Sequence, residues 1–391
     1  MFGTVIEDSN HHFCHYKIRT IMTKLIIWRC TIVFIFMILI KNLSAQKIAM
    51  TADHWQVPDK GVEFLQYKGV PAMKIVSDTV IPVLKNVDFA NGTIEYDVES
   101  VEPPFTGIFF RRQSAEECEI VYLRVGRAGA PLAMDAIQYC PVIKRVVLWD
   151  LLPDYQGPAP IKKSDWNHVK LVVSGMQMLV YVNDMSRPVL QIPRLEGNTK
   201  SGGIAFSGKS IFANLVIKPN ETNGLSPVEG FDPTYQDPRY LRDWFVDTPI
   251  TFLFGRELNV PDLPGKDHVW NKLSAERRGL VNLTRLFGIS KDRRLVFLKT
   301  NIKSDKEQIR KINLGFSDEV SVILNGQLAY VDKNWYRNPI MKEPEGRCSI
   351  ENSSFSIPLK AGDNELIIAV SNFFFGWGIV ARLDQTDGIS F

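Results

Sequence analysis

Residues 91–100 read NGTIEYDVES, and the order of acidic and apolar residues in this stretch indicates a β-strand. Three acidic side chains alternate with three apolar ones: Glu95, Asp97 and Glu99 with Ile94, Tyr96 and Val98. Successive side chains of a strand point to opposite faces of the sheet, so the acids share one face and the apolar residues share the other. The stretch therefore predicts a strand with its apolar face buried between two sheets.

The same pattern recurs between Ile48 and Pro219 as short runs rich in β-branched and aromatic residues. Turn formers such as Asn91-Gly92, Asn183-Asp184 and Gly202-Gly203 separate the runs. Many short strands with regular turn signals predict an antiparallel β-sandwich.

A second β-rich block follows a stretch with four prolines, which has the composition of a linker. We therefore predict an all-β chain of two antiparallel β-sandwiches. The predicted boundaries are an extension and signal peptide at 1–45, a first sandwich at 46–218, a linker at 219–240 and a second sandwich at 241–391.

Composition narrows the classes of partner. The 391 residues carry a formal net charge of +3, which is too close to balance to indicate a nucleic-acid partner. Eight tryptophans suit stacking surfaces as well as cores. The histidines of the predicted mature chain, His54, His168 and His268, are isolated and show no metal-ligand spacing. The sequence leaves the oligomeric state open.

The N-terminal region has the pattern of an export signal. Lys24 precedes an apolar core at 30–40, and Leu43-Ser44-Ala45 matches a signal-peptidase site, so we expect cleavage between Ala45 and Gln46. The apolar core is shorter than the ~20 residues that a membrane span needs. We expect a protein exported to the periplasm, cell envelope or extracellular space, without a transmembrane span in the mature chain. An uncleaved anchor is the alternative, and translation starts at Met1 or Met22.

The predicted mature chain keeps three cysteines, Cys118, Cys140 and Cys348. An odd count does not form a disulfide framework. In an exported protein a Cys118–Cys140 bridge is one outcome and buried free thiols are the other.

The first block resembles the concanavalin A-like lectin/glucanase superfamily, close to an exported bacterial branch of 3-keto-disaccharide hydrolases. The motifs that carry the resemblance, in chain order, are DFANGTIEYDVES (88–100), FTGIFFRRQ (105–113), EIVYLRVG (119–126), DAIQYCPV (135–142), DWNHVKLVVSGMQMLVYVND (165–184) and GGIAFSGKSIFANLVI (202–217). The resemblance implies a sandwich of two sheets. It leaves the activity open, because the superfamily includes lectins, laminin-G-like binders and glycosidases.

The second block resembles the galactose-binding-like jelly roll. The motifs are VSVILNGQLAY (320–330), IPLKAGDNELIIAVSN (357–372) and GWGIVARL (376–383). Asn325-Gly326 suits a tight hairpin turn with positive φ. Modules of this family bind sugars or pack against a neighbouring domain.

Retaining glucanases of the lectin-like fold carry E-x-D-x-E on one strand, and EYDVE at 95–99 matches that form. The resemblance then implies Glu95 as nucleophile, Asp97 as helper and Glu99 as acid/base. Such a pair must stand ~5–5.5 Å apart, and crowding would raise one pKa. The alternative, which we favour, is a solvated strand face. Removal of one acid would then change stability by less than about 0.5 kcal/mol.

A second set of residues suits sugar binding, through planar guanidinium donors and aromatic stacking. The candidates lie on three segments of the first block: Arg111, Tyr122, Arg124, Gln138, Tyr139 and Trp149. The alternative is that Tyr139 and Trp149 belong to the core and the arginines face water.

The leading interpretation is an exported carbohydrate-binding protein without chemistry of its own, which holds a glycan on the concave sheet of the first sandwich. A glycoside hydrolase is the alternative, and a structural or protein-interaction module of the envelope is a third. We expect no cofactor. Calcium suits lectin-like folds, but the nearest acidic loop, DLLPDYQG at 150–157, is a weak ligand set.

Overall fold

The computed structural model describes residues 45–58, 60–265 and 267–391. Strands dominate this part of the chain, and one short α-helix, α1 (Leu283–Phe287), interrupts them. The all-β prediction is confirmed. In the described ranges no helix is long and apolar enough to cross a membrane. The predicted signal sequence, with Cys14 and Cys30, lies outside the described residues.

In the described residues of the first half, sixteen strands are present. Their bounds are β1 Gln46–Lys47, β2 Trp55–Gln56, β3 Val62–Tyr67, β4 Val70–Ile75, β5 Val83–Leu84, β6 Gly92–Ser100, β7 Phe105–Arg112, β8 Cys118–Arg124, β9 Ile137–Ile143, β10 Val146–Val147, β11 Gln156–Gly157, β12 Asn167–Ser174, β13 Gln177–Val182, β14 Leu190–Ile192, β15 Gly203–Ser207 and β16 Ser210–Pro219.

These strands form two antiparallel sheets of eight strands each. Sheet I has the order β14-β13-β12-β6-β16-β4-β3, with β1 paired to β16. Sheet II has the order β10-β9-β8-β7-β15-β5-β2, with β11 paired to β9. The acidic strand β6 is central in sheet I, between β12 and β16.

The space between sheets I and II is a continuous apolar core. Ile94, Tyr96 and Val98 are at most 1% exposed and belong to it, as the alternation predicted. The Tyr96 ring lies 5.0 Å from Phe206 of sheet II and 6.2 Å from Phe212, between ring centroids. Period-2 patterning of β6 thus places one complete row of side chains in the core.

The part of the second half that the structure describes contains twelve strands. Their bounds are β17 Asp243–Val246, β18 Ile250–Thr251, β19 Asn271–Ser274, β20 Leu280–Asn282, β21 Arg294–Ser304, β22 Gln308–Phe316, β23 Asp318–Leu324, β24 Gln327–Asn334, β25 Ser353–Leu359, β26 Gly362–Asn372, β27 Gly378–Leu383 and β28 Ile389–Ser390. Sheet III has the order β19-β17-β21-β26-β23-β24, with β18 and β28 on β21, and sheet IV has the order β20-β27-β22-β25. A second apolar core lies between them.

The two halves also pack on each other. An apolar cluster joins Leu148 and Leu151 of the first half to Leu280 and Val380 of the second. The segment 219–240 follows the surface of the first half, where the Pro227 carbonyl accepts a hydrogen bond from the Met176 amide at 2.9 Å. Whether the halves are separable domains with a boundary at 219–240 stays a prediction that limited proteolysis would test.

The three described cysteines are buried free thiols. On neighbouring strands, Cys118 pairs with Val142 and Cys140 pairs with Ile120. The two cysteines are therefore diagonal neighbours, ~7–8 Å apart at Cα, which exceeds the usual span of a disulfide. The alternative of buried thiols is the one that the structure supports.

Candidate functional site

A groove with a volume of about 500 Å³ lies on the outer face of sheet II, and the second half supplies one of its walls. Sheet II and its neighbouring loops contribute Phe105, Tyr122 and Trp149. The loops that follow β24 and β26 contribute three further rings: Tyr336, Phe374 and Phe375. The volume lies within the range of sites that hold small molecules.

The aromatic rings of the groove hold one another in fixed orientations. Trp149 meets Tyr336 edge-on at 4.9 Å and Phe375 edge-on at 5.7 Å, between ring centroids. Tyr336 stacks on Phe374 at 5.6 Å. Edge-to-face contacts of this kind add stabilisation beyond buried area. Phe375 stays 41% exposed, so one apolar face remains available to a ligand.

A hydrogen-bond network underlies the sheet II wall. The Tyr122 hydroxyl and Arg124 Nη2 each donate to Gln138 Oε1 at 2.7 Å. Gln138 Nε2 donates to the Trp149 carbonyl at 2.7 Å. Arg124 Nη1 donates to the Asp135 carbonyl at 2.5 Å. Gln138 is buried and does not line the groove, so its amide orients the residues that do.

Cationic groups accompany the aromatic rings. The buried guanidinium of Arg347 lies 5.2 Å from the Trp149 ring centroid, and Arg337 lies 5.3 Å from that of Tyr336. Arg337 is exposed, lines the groove and forms no ion pair with a described residue. One carboxylate, Asp78, lines the described part of the groove, and it lies 4.0 Å from Lys209.

Besides the buried Gln138, two further predicted binding residues, Arg111 and Tyr139, do not line the groove, which corrects the prediction. Arg111 is 3% exposed, and its guanidinium donates to the carbonyls of Ala90 and Gly175 at 2.7–2.9 Å. The register between β7 and β15 shifts at this point, and Arg111 has a φ of +48°. This irregularity breaks the alternation on which the prediction depended.

Tyr139 is 0% exposed and lies in the core between sheets I and II. Its hydroxyl donates to Glu119 Oε2 at 2.8 Å. Neighbouring residues of a strand point to opposite faces, so Tyr139 cannot share the outer face with Gln138. The core alternative is correct for Tyr139. Of the six candidates, Tyr122, Arg124 and Trp149 therefore line the groove, and Gln138 supports them through hydrogen bonds.

The acidic row of β6 lies on the outer face of sheet I and is enclosed in ion pairs. Lys218 Nζ lies 3.0 Å from Glu95 Oε1. His168 lies between two carboxylates, 3.4 Å from Glu95 and 2.7 Å from Asp97. Asn214 Nδ2 donates to the other oxygen of Asp97 at 2.7 Å. The prediction of a solvated face is wrong in this respect, because Glu95 and Asp97 are half-buried and engaged.

Glu99 departs further from a solvated position, since it is only 7% exposed. The Tyr67 hydroxyl donates to Glu99 Oε1 at 2.9 Å, and Lys68 Nζ donates to Glu99 Oε2 at 2.6 Å. Tyr67 is the last residue of β3, and Lys68 follows it in the turn before β4.

The electrostatics of this row differ from those of a glycosidase pair. Burial opposes ionisation of Glu95, but the hydrogen bond and charge of Lys218 outweigh it and lower its pKa. Burial also opposes ionisation of Asp97, but hydrogen bonds from His168 and Asn214 lower its pKa. The hydrogen bond to Asp97 raises the pKa of His168. Crowding was expected to raise one carboxyl pKa; for Glu95 and Asp97 the direction is opposite.

Metal binding receives no geometric support from the described residues, where no group of three or more His, Cys, Asp or Glu side chains is placed to hold an ion. In the acidic loop at 150–157, the Asp150 carboxylate accepts the Gly376 amide, and Asp154 pairs with Arg278 at 2.9 Å. The absence of a cofactor stays an expectation.

Sequence reasoning missed five aromatic or cationic residues of the groove: Phe105, Tyr336, Arg337, Phe374 and Phe375. Phe105 precedes the alternating part of its strand. The other four lie in loops more than 180 positions after Trp149. The run FFFGWG at 373–378, in a β-rich block that otherwise alternates, was a signal that could have been used.

No family model matches the chain, and no curated protein matches it. Among solved structures, the family 66 carbohydrate-binding module of Bacillus subtilis aligns at 13% identity and a TM-score of 0.32, over 41% of this chain and 93% of its own. The β-glucanase of Bacillus licheniformis aligns at 7% identity and a TM-score of 0.32, over 46% and 99%. Domain 4 of an extracellular arabinanase of Geobacillus stearothermophilus, in complex with arabinotriose, aligns at 13% and 0.28, over 45% and 81%.

Proposed function

We propose that the protein binds a glycan in the aromatic groove on sheet II and performs no chemistry on it. The observation that carries the proposal is the groove itself. Six aromatic rings and the exposed guanidinium of Arg337 line it, and a hydrogen-bond network supports its sheet II wall. Apolar faces of sugar rings stack on aromatic side chains, and planar guanidinium groups donate to sugar oxygens.

Exposed aromatic groups distinguish this proposal from a purely structural role. Phe105 and Phe375 are 45% and 41% exposed although each lines the groove. A surface that serves only to pack the two halves would bury such rings. The proposal includes export to the envelope or the medium, which the predicted signal sequence supports.

A glycoside hydrolase needs two carboxyl groups on the two sides of the scissile bond. The described lining of the groove supplies Asp78 alone. The acidic row of β6 lies on the other sheet and has its charges neutralised by Lys218, His168 and Lys68. No further observation therefore supports the resemblance to the 3-keto-disaccharide hydrolase branch.

A glycan-array screen of the full-length protein tests the proposal. We expect selective binding to at least one oligosaccharide class. Phe105→Ala should weaken binding to the strongest array glycan by about 10-fold, the scale of one lost aromatic contact. Arg112→Ala, a change on the same strand outside the groove lining, serves as control. Absence of binding across the array, or equal binding by Phe105→Ala, would contradict the proposal.

A further inference from the structure

The loop Asn372–Gly378, from the end of β26 to the start of β27, supplies two of the four residues with which the second half lines the groove, and it contains three consecutive phenylalanines. Phe373 points away from the groove and meets Phe254 at 5.0 Å and Trp335 at 5.8 Å, between ring centroids. Phe374 and Phe375 line the groove. The loop thus uses one ring to attach to its own half and two rings to form the wall.

The backbone of this loop is held in an unfavourable conformation. Phe375 has a φ of +48°, which is a rare value for a bulky side chain. Residues in such conformations persist only where the surrounding structure constrains them, and they concentrate at binding sites.

Two buried carboxylates supply the constraint. Asp318 Oδ2 accepts the backbone amides of Phe373 at 2.8 Å and Phe374 at 3.1 Å. Asp150, from the first half, accepts the Gly376 amide at 3.0 and 3.2 Å through its two oxygens. Both carboxylates are at most 4% exposed.

Glycine is required where the loop meets Asp150. A Cβ on Gly376 would lie 2.6 Å from Asp150 Oδ1 and 2.5 Å from Leu151 Cγ, closer than real Cβ atoms approach their neighbours. The amide of Cys348 in the second half also donates to the Asp150 carbonyl at 2.8 Å. Asp150 is therefore the point at which the first half fixes the loop.

From these contacts we propose that Asp150 and Asp318 are positioning residues of the glycan groove, which hold the loop Asn372–Gly378 so that Phe374 and Phe375 face the ligand. The inference rests on the proposed function. It adds that binding depends on docking between the two halves, because one of the carboxylates belongs to each half.

The protonation states of Asp150 and Asp318 indicate which substitution should leave the loop Asn372–Gly378 in place. Burial raises the pKa of Asp150 to about 7 and that of Asp318 to about 8. The negative charge of Asp150 further raises the pKa of Asp318, whereas the positive charge of Arg347 partly offsets the effect of burial on the pKa of Asp150. An asparagine oxygen can replace the accepting oxygen of a neutral carboxyl group. Asp318→Asn should therefore keep the loop in place.

Four full-chain variants form the test. Gly376→Ala separates the loop from Asp150 without a change of charge, and Gly126→Ala is its control, because a Cβ at Gly126 meets open space. Asp318→Gly removes the acceptor and tolerates the φ of +50° at this position. Asp318→Asn is its conservative counterpart.

The two readouts are hydrogen exchange of the amides at 373–376 and affinity for the strongest glycan of the array. In Gly376→Ala and Asp318→Gly, exchange should accelerate and affinity should fall, each by about 10-fold or more. In Gly126→Ala and Asp318→Asn, both should stay within about 3-fold of the wild type. Gly376→Ala and Asp318→Gly break two independent contacts of the loop. If one of these variants does not fold, the other still tests the inference.

Unchanged exchange in both disruptive variants would overturn the inference, and so would faster exchange with unchanged affinity. If the wild type binds no glycan, the proposed function fails. Hydrogen exchange still decides whether the two carboxylates hold the loop.

Discussion

The two outer faces of the first sandwich carry similar polar and aromatic residues but use them differently. On sheet I, Glu95, Asp97 and Glu99 are each neutralised by a cation or an imidazole from a neighbouring strand or turn. On sheet II, the hydrogen bonds of Tyr122 and Arg124 support a wall of aromatic rings next to an open volume. In this molecule the candidate site is therefore indicated by the open volume on sheet II and not by the row of acids on sheet I.

The core that separates these faces should give the largest effect. Tyr96→Ala should lower the free energy of unfolding by about 4 kcal/mol, because it leaves a cavity beside Phe206 and Phe212. Urea denaturation measures the change. Tyr235→Ala, at a ring that is 76% exposed, is the control and should be nearly neutral. A cost below about 1 kcal/mol for Tyr96→Ala would show that the ring is not a core element.

Removal of one aromatic ring from each outer face of the first sandwich tests the comparison directly. Trp149→Ala should weaken glycan binding by about 100-fold, because Trp149 contacts both Tyr336 and Phe375 at the centre of the groove. Tyr181→Ala removes a half-buried ring on sheet I, which Lys170 covers at 4.0 Å. Calorimetric titration with the strongest array glycan should show no loss for Tyr181→Ala. A loss of glycan affinity in Tyr181→Ala would instead indicate a binding site on sheet I.

The acidic strand supports a smaller prediction about stability. Glu99→Gln should cost about 1 kcal/mol, because the buried Glu99 side chain loses its charged hydrogen bond with Lys68. Glu63→Gln, at a side chain that is 57% exposed, is the control and should be neutral. Chemical denaturation measures both. Glycan binding should stay at the wild-type level in Glu99→Gln. Hydrolytic activity that is detectable in the wild type and absent from this variant would restore the enzyme alternative.

Local alternation predicted the fold well, because burial of one face of a strand depends on residues two positions apart. It placed Ile94, Tyr96 and Val98 in the core, and it gathered Tyr122, Arg124 and Trp149 at one site.

The errors have identifiable physical causes. The register shift and positive φ at Arg111 turn its side chain inwards, and no residue type in this part of the sequence predicts the shift. The prediction of a solvated face is wrong at Glu99 because the residues that cover it, Tyr67 and Lys68, come from another hairpin. The second groove wall depends on docking of two halves, and contacts at such sequence separation leave no periodic signal.

Protonation of His168 should give the smallest effect, through its contacts with Glu95 and Asp97. The hydrogen bond to Asp97 raises the folded-state pKa of His168 above its ordinary value. The stabilisation is therefore complete below about pH 6.5, the unfolded-state value, and is lost as the pH rises through the folded-state pKa. The imidazole is 37% exposed, so solvent screening limits the effect to about 0.5 kcal/mol.

The stability of the wild type alone cannot reveal this contribution. Asp150 and Asp318 have folded-state pKa values of about 7 and 8, above their unfolded values, so the folded state binds more protons than the unfolded state below these values. Their ionisation also lowers the free energy of unfolding as the pH rises. The difference between wild type and His168→Asn isolates the imidazole. Thermal unfolding should give a larger difference at pH 5.5 than at pH 8.5, and 1 M salt should reduce it. A difference that is independent of pH would mean that His168 stays neutral between Glu95 and Asp97.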